Sequence, residues 1–237
     1  MKKLGVIGGL GPLASAYFLQ LLTEMTDAKI DQEHIEIFLH SKPAIPDRTN
    51  FILNKSDKNP LPELLEAGKG LVEQGADIIA IPCITAHYFH SQLSKLKKPV
   101  IHTIEETGIY LEKEGIKTVG IMATDGTIES NLFQNKLNQK GIKSLVPDSE
   151  GQSKVMHIIY ENVKSGREID IDMFMDVKKE LFDKGAEVIL LGCTELSIAK
   201  KNCNVGKNVL DVMEVLARKS VLECAKLKEE YNKLITV

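Results

Sequence analysis

LGVIGGLGPLAS, at residues 4–15, decides the fold, because a stretch of the same kind, VGIMATDGTIES, returns at residues 119–130. Each is a short apolar run that leads into a turn and then into a helical pattern, which is how a β-α unit begins. A second pair follows in the same order, GADIIAIPCITAH at 75–87 and GAEVILLGCTEL at 185–196. Although any two β-α units look somewhat alike, the nearly equal offsets of 115 and 110 residues predict two similarly folded halves.

Short apolar runs alternate with helical patterns along the whole chain. Strands are predicted at 4–8, 35–40, 77–82, 117–122, 142–146 and 187–192, and helices at 12–25, 61–75, 103–115, 173–185 and about 211–232. Several strand runs are apolar without alternation, which is typical of parallel strands buried on both faces. We therefore predict an α/β protein with two pseudo-symmetric α/β domains, each a mainly parallel sheet flanked by helices, and an active site in the cleft between them.

The domain boundary is predicted near Lys98 and Pro99. The first domain then comprises residues 1–98 together with 208–237, whose helix packs back on the first half, and the second comprises residues 99–207.

The composition excludes several classes of protein. Of 237 residues, 43% are hydrophobic and 27% charged, which is the mixture of a folded globular chain and argues against disorder. The net charge of −3 lacks the positive surface of a nucleic-acid or acidic-membrane binder, and no apolar run is long enough to span a bilayer. The start MKKLGVIGG imitates a signal peptide, but its glycines and Pro12 indicate a strand and turn instead. The four cysteines show no CxxC spacing, so we expect reduced thiols and a cytoplasmic protein.

Two of these cysteines occupy equivalent places, since Cys83 follows DIIAIP and Cys193 follows EVILLG. Thiols that face one substrate from opposite sides suit racemisation or epimerisation, in which one group removes a proton and the other supplies one. Thr85 and Thr194 lie just beyond, where a helix would begin and its positive end would favour a thiolate. A redox pair that closes a disulfide remains open as an alternative. Cys203 and Cys224 lie outside the repeat, and packing roles are expected for them.

Anion-binding groups are the next requirement, because a carbon acidic enough to lose a proton usually carries a carboxylate. GGLGP at 8–12 is a glycine-rich strand-to-helix turn that could cradle a carboxylate, although it matches neither GxGxxG nor a P-loop and could be a simple tight turn. ATDGT at 123–127 stands in the repeated position. Arg48, in the loop SKPAIPDRT, could grip a carboxylate or could be an ordinary surface arginine.

Together these motifs resemble the cofactor-independent aspartate/glutamate racemases, closest to the aspartate racemase branch. The resemblance rests on GVIGGLGP (5–12), PDRT (46–49), PCxTAH (82–87), ATxGT (123–127), the lysine of IIYENVKSG (158–166) and LGCTEL (191–196), and it covers residues 4 to about 200. It implies an acid/base pair, Cys83 and Cys193, with no cofactor and no metal. It also implies a commonly homodimeric enzyme with Arg48 and Lys164 as carboxylate grips. Further substrate contacts would come from Gly9, Leu10, Gly11, Thr49, Ile84, Thr85, Thr124, Thr127, Thr194 and Glu195.

Two departures from the family pattern bear on the substrate. Leu10 replaces the usual methionine, a nearly isosteric change, whereas Ile84 replaces the asparagine of PCNTAH and can neither donate nor accept a hydrogen bond. The leading prediction is a racemase for L- and D-aspartate. The alternatives are a glutamate racemase, a maleate isomerase-like enzyme of the same superfamily, and a non-catalytic protein that binds a dicarboxylate or amino acid. His87, at the start of a helix, is expected to be structural.

Overall fold

The computed structural model of the protein describes the whole chain, residues 1–237. The chain forms two compact units. The first comprises Met1–Thr103 and Met213–Leu234, and the second comprises Ile104–Val212 and Ile235–Val237. No helix is both long and apolar enough to cross a membrane.

The first unit is built on a three-stranded parallel sheet. Its elements are β1 (Leu4–Gly8), α1 (Pro12–Met25), β2 (Ile37–Ser41), α2 (Arg48–Ile52), α3 (Leu61–Glu73), β3 (Ile78–Ala80) and α4 (His90–Leu93), with 3₁₀ segments at Asp31–Glu33 and Thr85–Phe89. The strand order is β2-β1-β3, with Leu4 of the fully buried β1 aligned on Ile37 and Ile78. Val100 adds a single parallel bridge beside β3, at Ile79.

The second unit carries a four-stranded parallel sheet in the order β5-β4-β6-β7. Its elements are α5 (Thr103–Lys113), β4 (Thr118–Met122), α6 (Asp125–Glu129), α7 (Leu132–Gln139), β5 (Lys143–Leu145), α8 (Ser149–His157), a π-helical segment (Ile158–Lys164), α9 (Ile171–Asp183), β6 (Val188–Leu191), α10 (Thr194–Asn202) and β7 (Val209–Asp211). The last helix, α11 (Val212–Cys224), returns to the first unit and is followed by a 3₁₀ turn, Glu229–Asn232.

The predicted α/β fold with two parallel sheets flanked by helices is confirmed. In both sheets the first strand of the unit lies between the second and the third. This shared strand order is what two related halves require. Helices with one apolar face bury most strands, whereas the edge strands β2 and β5 stay partly exposed. In α1 the buried positions include Phe18, Leu21, Leu22 and Met25, which share one face of a helix. The prediction that three helices stop near a glycine is also confirmed, because Gly75, Gly115 and Gly185 follow α3, α5 and α9 with positive φ.

Three features differ from the sequence-based expectation. Residues 209–211, assigned to the first domain, form β7 and pair with β6 in the second unit, because the short apolar run VLD completes that sheet. The C-terminal helix, predicted at 211–232, ends at Cys224. The chain beyond it pairs with the end of α1 through an antiparallel bridge between Leu227 and Thr26. Helices α7, α8 and α10 and the π-helical segment were not predicted as separate elements, since their apolar periodicity is short or interrupted.

Candidate active site

Cys83 lies just past the carboxyl end of β3 and is 4% exposed. Its Sγ is 3.5 Å from the hydroxyl oxygen of Thr85, and its amide donates to the carbonyl of Ile81 at 2.8 Å. Thr85 starts a 3₁₀ segment rather than a long α-helix, so little helix dipole reaches this thiol. Ile84, between them, is also buried, at 3% exposure. The first unit therefore places the thiol and the hydroxyl together at the sheet edge where parallel folds bind ligands.

The glycine-rich turn after β1 is the neighbouring element at that edge, because β1 and β3 are adjacent and parallel. The amide of Gly9 donates to the Ser15 hydroxyl at 2.9 Å, and that hydroxyl donates to the carbonyl of Gly11 at 2.9 Å. Gly9 has a φ of +86°, and a Cβ built on it would lie 2.5 Å from the amide nitrogen of Lys42. The turn is therefore fitted against the chain that follows β2, and Ser15 fixes its shape.

We expect Gly9→Ala to disrupt this turn. A side chain here meets both an unfavourable φ and fixed backbone, which together amount to about 2–4 kcal/mol of lost stability. Chemical denaturation measures the free energy of unfolding, with Gly70→Ala as the matched control because a Cβ on the helical Gly70 meets nothing within 4 Å. Equal stability of the two variants would contradict the tight packing of the turn.

Arg48 is buried and held by backbone carbonyls. The residue is 8% exposed, and its guanidinium donates to the carbonyls of Ile45 (3.3 Å), Pro46 (3.0 Å) and Leu10 (3.2 Å). Arg48 is thus not an ordinary surface arginine, because it ties the loop before α2 to the glycine-rich turn. Thr49, its neighbour, is buried on the first turn of α2.

Cys193 lies past the end of β6, at the residue just before the nine-residue helix α10. Its thiol donates to the Oε2 atom of Glu195 at 2.9 Å, and the Thr194 hydroxyl donates to the same oxygen at 3.4 Å. Burial raises the pKa of the Cys193 thiol well above its ordinary value. The charge of Glu195 raises it further, while the charge of Lys164 lowers it. The resting state of this site is a protonated thiol that already points its proton at a carboxylate.

The second unit also contains three more of the predicted site residues, Thr124, Thr127 and Lys164. Thr124 and Thr127, both buried, bring their hydroxyl oxygens to 3.1 Å from each other after β4. Lys164 ends the π-helical segment, and its Nζ lies 4.0 Å from the centroid of the Tyr160 ring. Such irregular helical turns are frequent at functional sites, and the electrostatic effect of Lys164 on Cys193 couples the two groups.

Sequence reasoning missed the side chains that hold these loops in place. Gln152 donates from Nε2 to the carbonyl of Ala123 at 3.0 Å and to the Asp125 carboxylate at 2.8 Å, which fixes the loop of Thr124. Ser15 does the same for the glycine-rich turn, and Tyr160 lies under Lys164. Of these side chains, only that of Tyr160 could have been found from the sequence, because Tyr160 lies four residues before Lys164.

Comparison with known proteins identifies the family. The profile of the Asp/Glu/hydantoin racemases matches residues 7–220. The chain is 31% identical to an aspartate racemase from Picrophilus torridus, whose structure superposes with a TM-score of 0.81 over 98% of both chains. An aspartate racemase homologue from Pyrococcus horikoshii is 26% identical, with a TM-score of 0.76 over 94% of this chain and 99% of that one.

Relatives with other substrates match as well. A broad-specificity amino-acid racemase from Bacillus subtilis is 23% identical over 92% of this chain and 96% of its own. A glutamate racemase from Limosilactobacillus reuteri is 27% identical over 70% of this chain and 63% of its own. These matches agree with the site, which has a thiol at a strand end in each half and a carboxylate beside one of the thiols. The chain is an isomerase of the Asp/Glu/hydantoin racemase family, an amino-acid racemase.

Proposed function

We propose that the protein interconverts L- and D-aspartate without a cofactor, using Cys83 and Cys193 as the two acid/base groups. The observation that carries the proposal is the equivalent placement of the two buried thiols, each just beyond the carboxyl end of the third strand of its unit. The similarity to an aspartate racemase supports the choice of substrate. We propose further that the enzyme is a cytoplasmic homodimer.

The reaction begins when one cysteine, as thiolate, removes the α-proton, and it ends when the other cysteine, as thiol, delivers a proton to the opposite face of the carbon. The electron pair left on the α-carbon spreads into the α-carboxylate, so groups that stabilise negative charge there lower the barrier. We assign this stabilisation to Lys164, to Arg48 and to the backbone amides of Leu10 and Gly11, since the Gly9 amide donates to Ser15. Thr49, Thr85, Thr124, Thr127 and Thr194 are proposed to hold the substrate's polar groups, and Leu10 and Ile84 to line the site.

Glu195 gives the second thiol a proton route in this scheme. For Cys193 to act as the base, its proton must leave, and the Glu195 carboxylate already accepts it in a hydrogen bond of 2.9 Å. Proton transfer from Sγ to Oε2 leaves a thiolate beside a neutral acid, and the charge of Lys164 favours that thiolate. The pair therefore makes a buried, protonated cysteine usable as a base near neutral pH.

Chiral chromatography of products tests the proposal. Purified protein is incubated with L-aspartate, L-glutamate or L-alanine in reducing buffer, with no cofactor added. We expect D-aspartate to form fastest. No D-amino acid from any of the three would overturn the assignment, and D-glutamate alone would make the protein a glutamate racemase.

A broader substrate range is the second candidate, because Ile84 offers no polar group where the family pattern has asparagine, and a broad-specificity racemase is among the relatives. We expect Ile84→Asn to raise kcat/KM for aspartate by about tenfold, the value of one recovered hydrogen bond to a charged group. Ile84→Val is the control for the change in volume. A fall in kcat/KM with Ile84→Asn but not with Ile84→Val would show that an apolar side chain is required here.

A further inference from the structure

His87 is a buried histidine that the proposed reaction does not use. It belongs to the 3₁₀ segment that follows Cys83 and is 3% exposed. Its Nδ1 lies 3.0 Å from the carbonyl oxygen of Cys83. Because a carbonyl can only accept, Nδ1 carries the proton and donates it to that oxygen. The ring is therefore tied to the backbone of the proposed catalytic residue.

Two further imidazoles pack against this ring. The centroid of His87 lies 6.0 Å from that of His90 and 5.8 Å from that of His102, and the last two are 4.0 Å apart. The three rings, which we name the histidine cluster, do not form a metal-binding arrangement. His90, in turn, lies with its Nε2 at 3.1 Å from the carbonyl of Val100. The cluster thus connects the Cys83 loop to the chain beside β3.

His87 is neutral mainly because it is buried. Burial lowers its pKa to about 3, helped by repulsion from His102 and His90. A group with this pKa does not exchange protons usefully near neutrality, so an acid/base role is excluded for His87. What remains for His87 is the role of a neutral ring whose Nδ1–H donates to the Cys83 carbonyl.

We propose that His87 is a positioning residue: its Nδ1–H holds the Cys83 carbonyl and thereby sets the direction of the Cys83 thiol toward the substrate carbon. The inference rests on the proposed function of Cys83. Cys83 lies between β3 and the 3₁₀ segment, outside regular structure, so a side-chain hydrogen bond to its backbone restricts its orientation. Proton transfer is sensitive to displacements of about 1 Å, which is why such a restraint matters for rate.

Matched substitutions separate positioning from packing. In His87→Asn the amide nitrogen can take the place of Nδ1, whereas in His87→Gln it extends to the region of Nε2 and leaves the Cys83 carbonyl without this donor. Both variants lose the buried ring, so thermal unfolding should show similar losses of stability. We expect kcat to fall about 10- to 100-fold in His87→Gln and in His87→Ala with little change in KM, and to recover to within about threefold in His87→Asn.

A second readout does not depend on racemase activity. The alkylation rate of Cys83 by iodoacetamide, measured by peptide mass spectrometry, should rise in His87→Gln and His87→Ala, because the loosened thiol becomes more accessible, and stay near the wild-type rate in His87→Asn. Equal impairment of the Asn and Gln variants, or wild-type kcat and alkylation in all of them, would overturn the positioning role. Should the wild-type protein racemise no amino acid, the proposed function fails, and the alkylation order alone decides whether His87 positions Cys83.

Discussion

Replacement of either Cys83 or Cys193 by alanine is expected to abolish racemisation, with a loss of at least about 10³-fold in kcat. In the proposed mechanism each thiol serves one face of the α-carbon, and a positioned acid/base group contributes about 10²- to 10⁴-fold. We expect neither of the other two cysteines to substitute, since Cys203 and Cys224 do not stand at a strand end that is repeated in the other half. Cys203→Ala, which removes a partly exposed thiol, is the matched control and should keep wild-type activity.

The two single cysteine variants should also show a behaviour that a general loss of folding would not produce. Each should still exchange the α-proton of one enantiomer with deuterated solvent, without inversion, and the two variants should act on opposite enantiomers. Inversion that persists in both single variants would contradict the two-thiol mechanism. Loss of all exchange in both, with intact folding, would contradict the assignment of one thiol to each face.

Glu195→Gln is expected to lower both the pKa of Cys193 and the rate of racemisation. The pKa of Cys193 should fall, because the charge and the hydrogen bond of the carboxylate both raise it while the effect of Lys164 stays. Racemisation at neutral pH should nevertheless fall about 100-fold, because the amide cannot accept the proton that Cys193 must release. The L and D enantiomers have equal free energy, so kcat/KM must fall equally in both directions.

The measurements are the pH dependence of Cys193 alkylation and the racemisation rate from pH 6 to 10. In the variant, activity should recover at high pH, where solvent removes the thiol proton. Glu195→Asp keeps a carboxylate at greater distance and should retain more activity than Glu195→Gln. A variant with a lowered Cys193 pKa and higher activity would show that Glu195 only suppresses the thiolate, contrary to a role as proton acceptor.

The same raised pKa affects folding stability. A thiol whose pKa is higher in the folded than in the unfolded chain favours folding below the unfolded value, near 8.5, and that contribution declines as the pH rises above it. The wild-type protein should therefore lose stability above about pH 8.5, and Glu195→Gln should lose less of it.

The elements that the sequence predicts well are those with long apolar runs. β1, β4 and β6 are strands buried along all or most of their length, and a glycine follows each of the helices α3 and α9, so periodicity and stop signals locate them. β7 was assigned to the wrong unit because a three-residue strand carries no information about which sheet it joins. Pairing partners depend on contacts distant in sequence, which local patterns do not encode.

The candidate site residues likewise differ in how much of their role the sequence predicts. The internal repeat located Cys83 and Cys193, since equivalent strand ends converge on the ligand-binding edge of each sheet. The environment of Arg48 could not be read from its motif, because it depends on the carbonyl of Leu10, which is distant in sequence. The hydrogen bond between Cys193 and Glu195 follows from the first turn of α10, yet the pKa of that thiol depends on burial, which only the folded chain defines.

Proton NMR of L-aspartate in deuterated water with the purified protein tests directly whether the protein racemises aspartate without a cofactor. We expect the α-proton signal to disappear without added cofactor and chiral analysis then to find both enantiomers, each deuterated at the α-carbon. An α-proton signal that persists, with no D-aspartate formed and the protein still folded, would contradict this expectation.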